Sequence, residues 1–208
     1  MKEQKNKHKN YLVKIKLTKL IILIMTIQST VAAQTNDAFQ SSVLSEDFIQ
    51  YMKNVENRDF KFGPMHESKE GGSPTYGFGH KLTETEKAQG KIYDIPLSEI
   101  NEENSEKILV QDLKKANDIL LKTYGENYIN LDPRRKQMLI DFQFNVRNFK
   151  NKDVFPNFKK ALFAGDEQGM IDQHVRGFYP SPEDRKNKTN FKTLGRNADF
   201  KSFFFGER

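Results

Sequence analysis

Apolar positions first fall into a regular pattern at Leu44, Phe48, Tyr51 or Met52 and Val55. That spacing predicts a helix with one buried face. Glu46 and Asp47 lie in its first turn, where negative charge suits the helix dipole. The period breaks from Asn57 to Pro64, so the helix should close around Glu56. Residues 57–80 are rich in Gly, Pro and polar side chains and end in Thr75-Tyr76-Gly77-Phe78-Gly79-His80. Aromatics alternating with glycine suggest a short strand lying close to another backbone or a ligand. Thr83 to Gly90 reads as a helical turn, and 57–97 as a small, irregular, β-containing lobe.

Beyond Asn104 the pattern is helical for most of the chain. Leu109, Leu113, Ala116 and Leu120 share a face, and Gly125 offers a stop. Asp132-Pro133 predicts the next helix start, a capping acid followed by proline at the first helical position. Met138, Leu139, Phe142 and Val146 supply its apolar face. Shorter helices are expected over Pro156–Phe163 and Glu167–His174, and Phe200 with Phe203-Phe204-Phe205 should dock the tail onto the core. The expected fold class is α+β, predominantly helical: a small β-containing lobe and an all-α lobe (104–208) joined by a long helix. A cleft between unequal lobes suits a polymeric ligand.

The first 33 residues differ from everything after them. A Lys-rich stretch precedes Leu20-Ile21-Ile22-Leu23-Ile24-Met25, and Val31-Ala32-Ala33 follows. This order of basic, apolar and small residues reads as an export signal over 1–33. The apolar run is short of the roughly 20 residues a spanning helix needs; an uncleaved anchor is the alternative. Residues 34–43 read as a polar linker, and 44–208 as the folded domain. The expected location is therefore periplasmic or extracellular.

The leader also accounts for the net charge of +6. Residues 1–33 hold seven of the 34 basic residues and one of the 28 acids, leaving 27 of each in the remainder. A formally neutral body has no bulk electrostatic footprint for a polyanion, which argues against nucleic acid as a partner. The chain has no cysteine, so thiolate metal sites and cysteine nucleophiles are excluded. With 36% apolar residues and 17 Phe, a domain of this length can build a sizeable core without disulfides.

Glycosidic hydrolysis needs a protonated acid at the leaving oxygen and a second group that activates water or stabilises positive charge. Burial raises the first group's pKa, while its partner stays ionised in a wetter setting. Glu56, closing an apolar-faced helix, suits the first role; an acid at a helix end is otherwise commonly just solvated.

The run from Glu67 through Gly71-Gly72 to Thr75-Tyr76-Gly77-Phe78-Gly79-His80 gives Glu56 a context. Here the sequence resembles the phage-type lysozymes, the muramidase endolysins of bacteriophages. They carry a Glu at the end of the first helix, a second acid in a short β-lobe, then a Thr opening a Thr-x-Gly-x-Gly-His run. Glu56, Thr75, Gly77, Gly79 and His80 match. Downstream, Leu131-Asp132-Pro133-Arg134-Arg135 with Phe144-Asn145 resembles the family's central helix and cleft-lining pair. Leu194-Gly195-Arg196-Asn197 resembles the segment whose arginine pairs with the catalytic Glu. The resemblance spans roughly residues 44–205.

It implies a muramidase cutting the β-1,4 bond between N-acetylmuramic acid and N-acetylglucosamine in peptidoglycan, as a monomer and without cofactor or metal. Glu56 would be the acid, Arg196 would orient it, and Phe144 and Asn145 would meet the sugar or water. His80 would be structural, bonded to an acid of the long helix. The departure is at the second acid: the family's Asp, six positions before the Thr, is Lys69 here. Glu70 is the first candidate in its place, because Gly71-Gly72 lets the loop bring a longer side chain inward; it would hold the attacking water together with Thr75. Glu67 and His66 are the alternates. The same features admit a lytic transglycosylase, which needs one Glu and no water, or a wall-binding protein that has lost the reaction. No stable membrane partner is expected unless the leader is retained.

Overall fold

The computed structural model describes residues 42–56, 66–67, 74–146, 148–176 and 194–206. The leader, most of the linker, and residues 57–65 and 68–73 lie outside the described residues. The chain divides between Ser42 and Val43, and all that follows concerns the unit beginning at Val43. Among the described residues no helix is long and apolar enough to cross a membrane.

Helix α1 spans Glu46–Glu56 and buries Phe48, Tyr51 and Met52. Two short sheets follow. β1 (His66–Glu67), β2 (Pro74–Tyr76) and β3 (His80–Lys81) form a three-stranded antiparallel sheet in that order. Its register sets Thr75 opposite both His66 and Lys81, and Tyr76 opposite His80. After α2 (Glu84–Gln89), β4 (Lys91–Ile92) pairs with β5 (Ile95–Pro96). Thr83 caps α2 in a capping box with Glu86, which satisfies two helix-end N–H groups at once.

Thr75–His80 is therefore a hairpin rather than one strand. Gly77 (φ +54) and Gly79 (φ +88) form the turn between β2 and β3 in left-handed backbone that side chains disfavour. At Gly77 a Cβ would lie 2.6 Å from the Ser105 side chain, so the turn sits directly against the next long helix.

That helix, α3 (Glu102–Tyr124), is capped by Asn101 and buries Ile108, Leu109, Leu113, Ala116 and Leu120. Short α4 (Glu126–Ile129) turns the chain into α5 (Pro133–Asn145), whose N-cap Asp132 accepts from the Arg135 N–H at 2.9 Å. Every residue of α5 from Lys136 to Phe142 is buried, so this helix has no solvent face there. Its polar members are provided for internally: Lys136 donates to the Ile129 carbonyl and Gln137 to that of Val43.

Among the described residues three more helices follow: α6 (Pro156–Ala164), α7 (Glu167–Gln173) and α8 (Leu194–Phe205). The core here is phenylalanine against phenylalanine. Phe142 of α5 stacks on Phe158 of α6 at 4.3 Å and meets Phe200 of α8 edge-on at 5.5 Å. Each fully buried ring is worth about 1.5–3 kcal/mol of burial, so α8 is held by its aromatic face. Phe200 and Phe204 are buried, but Phe203 is 38% exposed and stacks at the edge of the core on Tyr51. The tail thus docks through one face of α8, with Phe200 and Phe204 on successive turns and Phe203 at its edge.

Candidate active site

Glu56 is the last residue of α1, and its side chain is only 13% exposed. From the third position of α8, Arg196 donates from Nη1 to Glu56 Oε1 at 2.7 Å. Its Nη2 donates to Asp141 Oδ1 at 2.6 Å. Asp141, on α5, is wholly buried and meets a second guanidinium, with Oδ2 2.6 Å from Arg176 Nη2. Glu56, Arg196, Asp141 and Arg176 thus alternate in charge across α1, α8, α5 and the segment after α7.

Burial drives the Glu56 carboxyl above the usual carboxylate range. The charge and hydrogen bond of Arg196 oppose that rise, the negative Asp141 adds to it, and a hydrogen bond from Asn145 opposes it weakly. The net direction is upward. Burial also acts to raise Asp141, but Arg176 and Arg196 outweigh it and hold that carboxyl below its ordinary value. One acid is disposed to keep its proton and the other to stay ionised. Tyr51, buried on α1, has its phenol raised by burial first and then by Asp141.

The β2–β3 turn closes one side of the acid. A Cβ built on Gly79 would stand 3.2 Å from Glu56 Oε2, so only glycine lets the backbone come this near without displacing the carboxyl. Thr75, on β2 of the same hairpin, is buried. Asn145 sits one turn beyond Asp141 and donates to its carbonyl at 2.8 Å, while Phe144 beside it is half-buried. The structure therefore brings Glu56, Arg196 and Asn145 together and sets the Thr75 hairpin against them. His66 and Glu67 belong to β1, the strand paired with β2. Glu70 and Lys69 lie outside the described residues, in the connection from β1 to β2.

His80 bonds to other helices than those that carry this cluster. Its Nδ1 is 2.8 Å from Asp112 Oδ2 on α3, and its Nε2 is 3.3 Å from Glu86 Oε2 on α2. Tyr93 also donates to Asp112. Burial acts to lower the imidazole's pKa, but hydrogen bonds and charge from Asp112 and Glu86 carry it above its ordinary value. A raised histidine contributes stability in full below its unfolded value, about pH 6.5, and loses it as pH rises through the folded value. His80→Gln should therefore cost about 1–2 kcal/mol at pH 5.5 and less at pH 8.5. Paired thermal melts check this, and a deficit that grows with pH would contradict it.

Sequence reasoning missed Asp141 and Arg176, and it expected an acid of the long helix at His80 without naming Asp112. Asp141 had a visible signal, a lone acid between Ile140 and Phe142 on the buried stretch of a helix. Arg176 had none, since it follows α7 in a segment without periodicity. Its position comes from Asn197, which accepts from the Arg176 N–H and donates to the Arg176 carbonyl. Among the described residues no group of three or more His, Asp or Glu is placed to hold a metal ion.

The sequence matches no protein-family model and no curated protein. Among solved structures, the chain is similar to a crystal structure of a P22 lysozyme point mutant, with a TM-score of 0.51 and 18% identity. The likeness covers 77% of this chain and 96% of that one. At such identity it concerns the fold: this chain is a two-lobed, predominantly helical α+β protein of lysozyme-like fold.

Proposed function

We propose that the chain is a muramidase of the phage-lysozyme type, hydrolysing the β-1,4 bond between N-acetylmuramic acid and N-acetylglucosamine in bacterial peptidoglycan. The observation that carries this reading is the buried, raised carboxyl of Glu56, held by Arg196 against a glycine turn. A carboxyl held above the ordinary carboxylate range is more readily found protonated than a solvated one and can give that proton to a leaving glycosidic oxygen, and as an anion it can take a proton back at the end of the cycle. Arg196 fixes the direction in which the carboxyl points. Asn145, next to it on α5, is suited to bond the sugar or the water.

The second role goes to Glu70, with the Thr75 hydroxyl sharing the attacking water. Both act from the β-containing segment, which leaves the acid and the base to different parts of the fold. Glu70→Gln is expected to lower turnover by more than tenfold, as loss of a positioned base does. A Glu67→Gln variant impaired more than Glu70→Gln would transfer the role to Glu67. The leader over residues 1–33 supports a protein exported to a substrate outside the cytoplasm.

The test is digestion of purified murein by the full chain, with the products weighed by mass spectrometry. Hydrolysis leaves reducing muramic acid. Anhydro-muramic products would make the protein a lytic transglycosylase, a reading favoured by Lys69 standing where an acid is expected. Binding to murein without any product would leave a wall-binding protein and end the enzymatic proposal.

A further inference from the structure

The Glu56 cluster contains two buried charges that the reaction above does not use. Asp141 is fully buried, and the Arg176 side chain is 7% exposed. From their placement we propose that Asp141 is a positioning residue for the Glu56 carboxyl, acting through Arg196, with Arg176 as its own counter-charge.

Arg196 has two terminal nitrogens and divides them, one to Glu56 and one to Asp141. A guanidinium free to face a single carboxylate forms a bidentate pair, the arrangement that best holds a carboxylate ionised. That is the wrong state for a proton donor. Asp141 prevents it by occupying the second arm. Asp141 is the stronger competitor because it has no water, whereas Glu56 keeps some exposure. The buried negative charge of Asp141 also opposes a second one at Glu56. Burying Asp141 against half a guanidinium would be costly, and Arg176 supplies the other half. Arg176 is fixed in turn: its guanidinium lies over the Phe142 and Phe200 rings, at 4.3 and 5.0 Å, and Asn197 clasps its backbone.

Among the described residues, the groups facing the cluster are Tyr51 on α1, Asp141 and Asn145 on α5, Arg176 after α7 and Arg196 on α8. On the hairpin and α3 side, the described ion pairs close among themselves. Lys53 of α1 pairs with Glu106 of α3 at 2.6 Å, and His80 bridges Asp112 and Glu86. The arrangement therefore predicts opposite effects of its two hidden members. Removing the Asp141 charge frees Arg196 for Glu56 and should make Glu56 a stronger acid. Removing the Arg176 charge strengthens the Asp141 field and should make Glu56 a weaker one.

The test is a carbon-13 NMR titration of the Glu56 carboxyl in the full chain and in Asp141→Asn and Arg176→Gln. The Glu56 midpoint should fall by about one pH unit in Asp141→Asn and rise in Arg176→Gln. Where the muramidase reading holds, the alkaline limb of kcat moves with the midpoint, giving about tenfold per unit of pH displaced, while KM stays put. A merely structural Asp141 would lower the melting temperature and leave the midpoint unmoved. Midpoints that stay fixed, or move the same way in both folded variants, overturn the proposal. If Asp141→Asn does not fold, Arg176→Gln decides alone: an upward shift supports the relay, and any other result rejects it. Because the titration needs no substrate, inactivity on murein would count against the function and not against the relay.

Discussion

Replacing Glu56 by Gln should reduce murein digestion by about a thousandfold, the usual scale for a general acid that also recovers its proton, while the protein stays folded. Glutamine keeps the size of the side chain and an oxygen that can accept from Arg196 Nη1, which now donates to Glu56 at 2.7 Å. It cannot release a proton to a leaving oxygen. The fold should be little disturbed, because Asp141 still holds both arginines. Circular dichroism and melting curves separate loss of chemistry from loss of structure. Wall clearing by Glu56→Gln within tenfold of the parent would remove Glu56 from the reaction. The parent's own rate should fall as pH rises through the elevated Glu56 value, since the donor is then spent.

The largest effect on stability should come from Asp141→Ala. It takes the carboxylate shared by Arg196 and Arg176 out of a largely buried site, and breaking a buried pair by deleting one partner costs about 3–5 kcal/mol. For a domain of this size that lowers the melting temperature by roughly 10 °C. The pH dependence has a definite sign. Asp141 is held below its ordinary value, so its contribution is present above the unfolded value near pH 3.9 and is lost as pH falls through the folded one. The gap in melting temperature between parent and variant should therefore close in acid. A deficit under about 1 kcal/mol at pH 7 would mean that the arginines find other partners or water.

Helix boundaries were the most legible part of this molecule, because each carries its own chemistry. The Asp132-Pro133 start of α5 and the Gly125 end of α3 are local backbone decisions, and they stand where the pattern puts them. The Thr75–His80 segment was misread for an equally local reason. Aromatics alternating with glycine have the period of a strand, yet two positive-φ glycines turn the chain back on itself. The tail was half legible: Phe run length says nothing about which rings face inward, and helical phase leaves Phe203 at the edge. At the site, Glu56 and Arg196 were identified through resemblance, since a lone acid at a helix end and an arginine 140 residues later share no local signal. Asp141 escaped because counting apolar positions along α5 passes over a charge whose partners come from elsewhere in the chain.

That separation along the chain has a bearing on when the site comes into being. The acid belongs to the first helix described and its guanidinium to the last, so the contact between them closes the longest loop in the cluster. A nascent or partly folded chain holding only α1 and the hairpin would carry a carboxyl of ordinary solution acidity. Competence would then arrive at once with the docking of α8, whose phenylalanines and arginine enter together, so that finishing the fold is itself the switch that arms the acid.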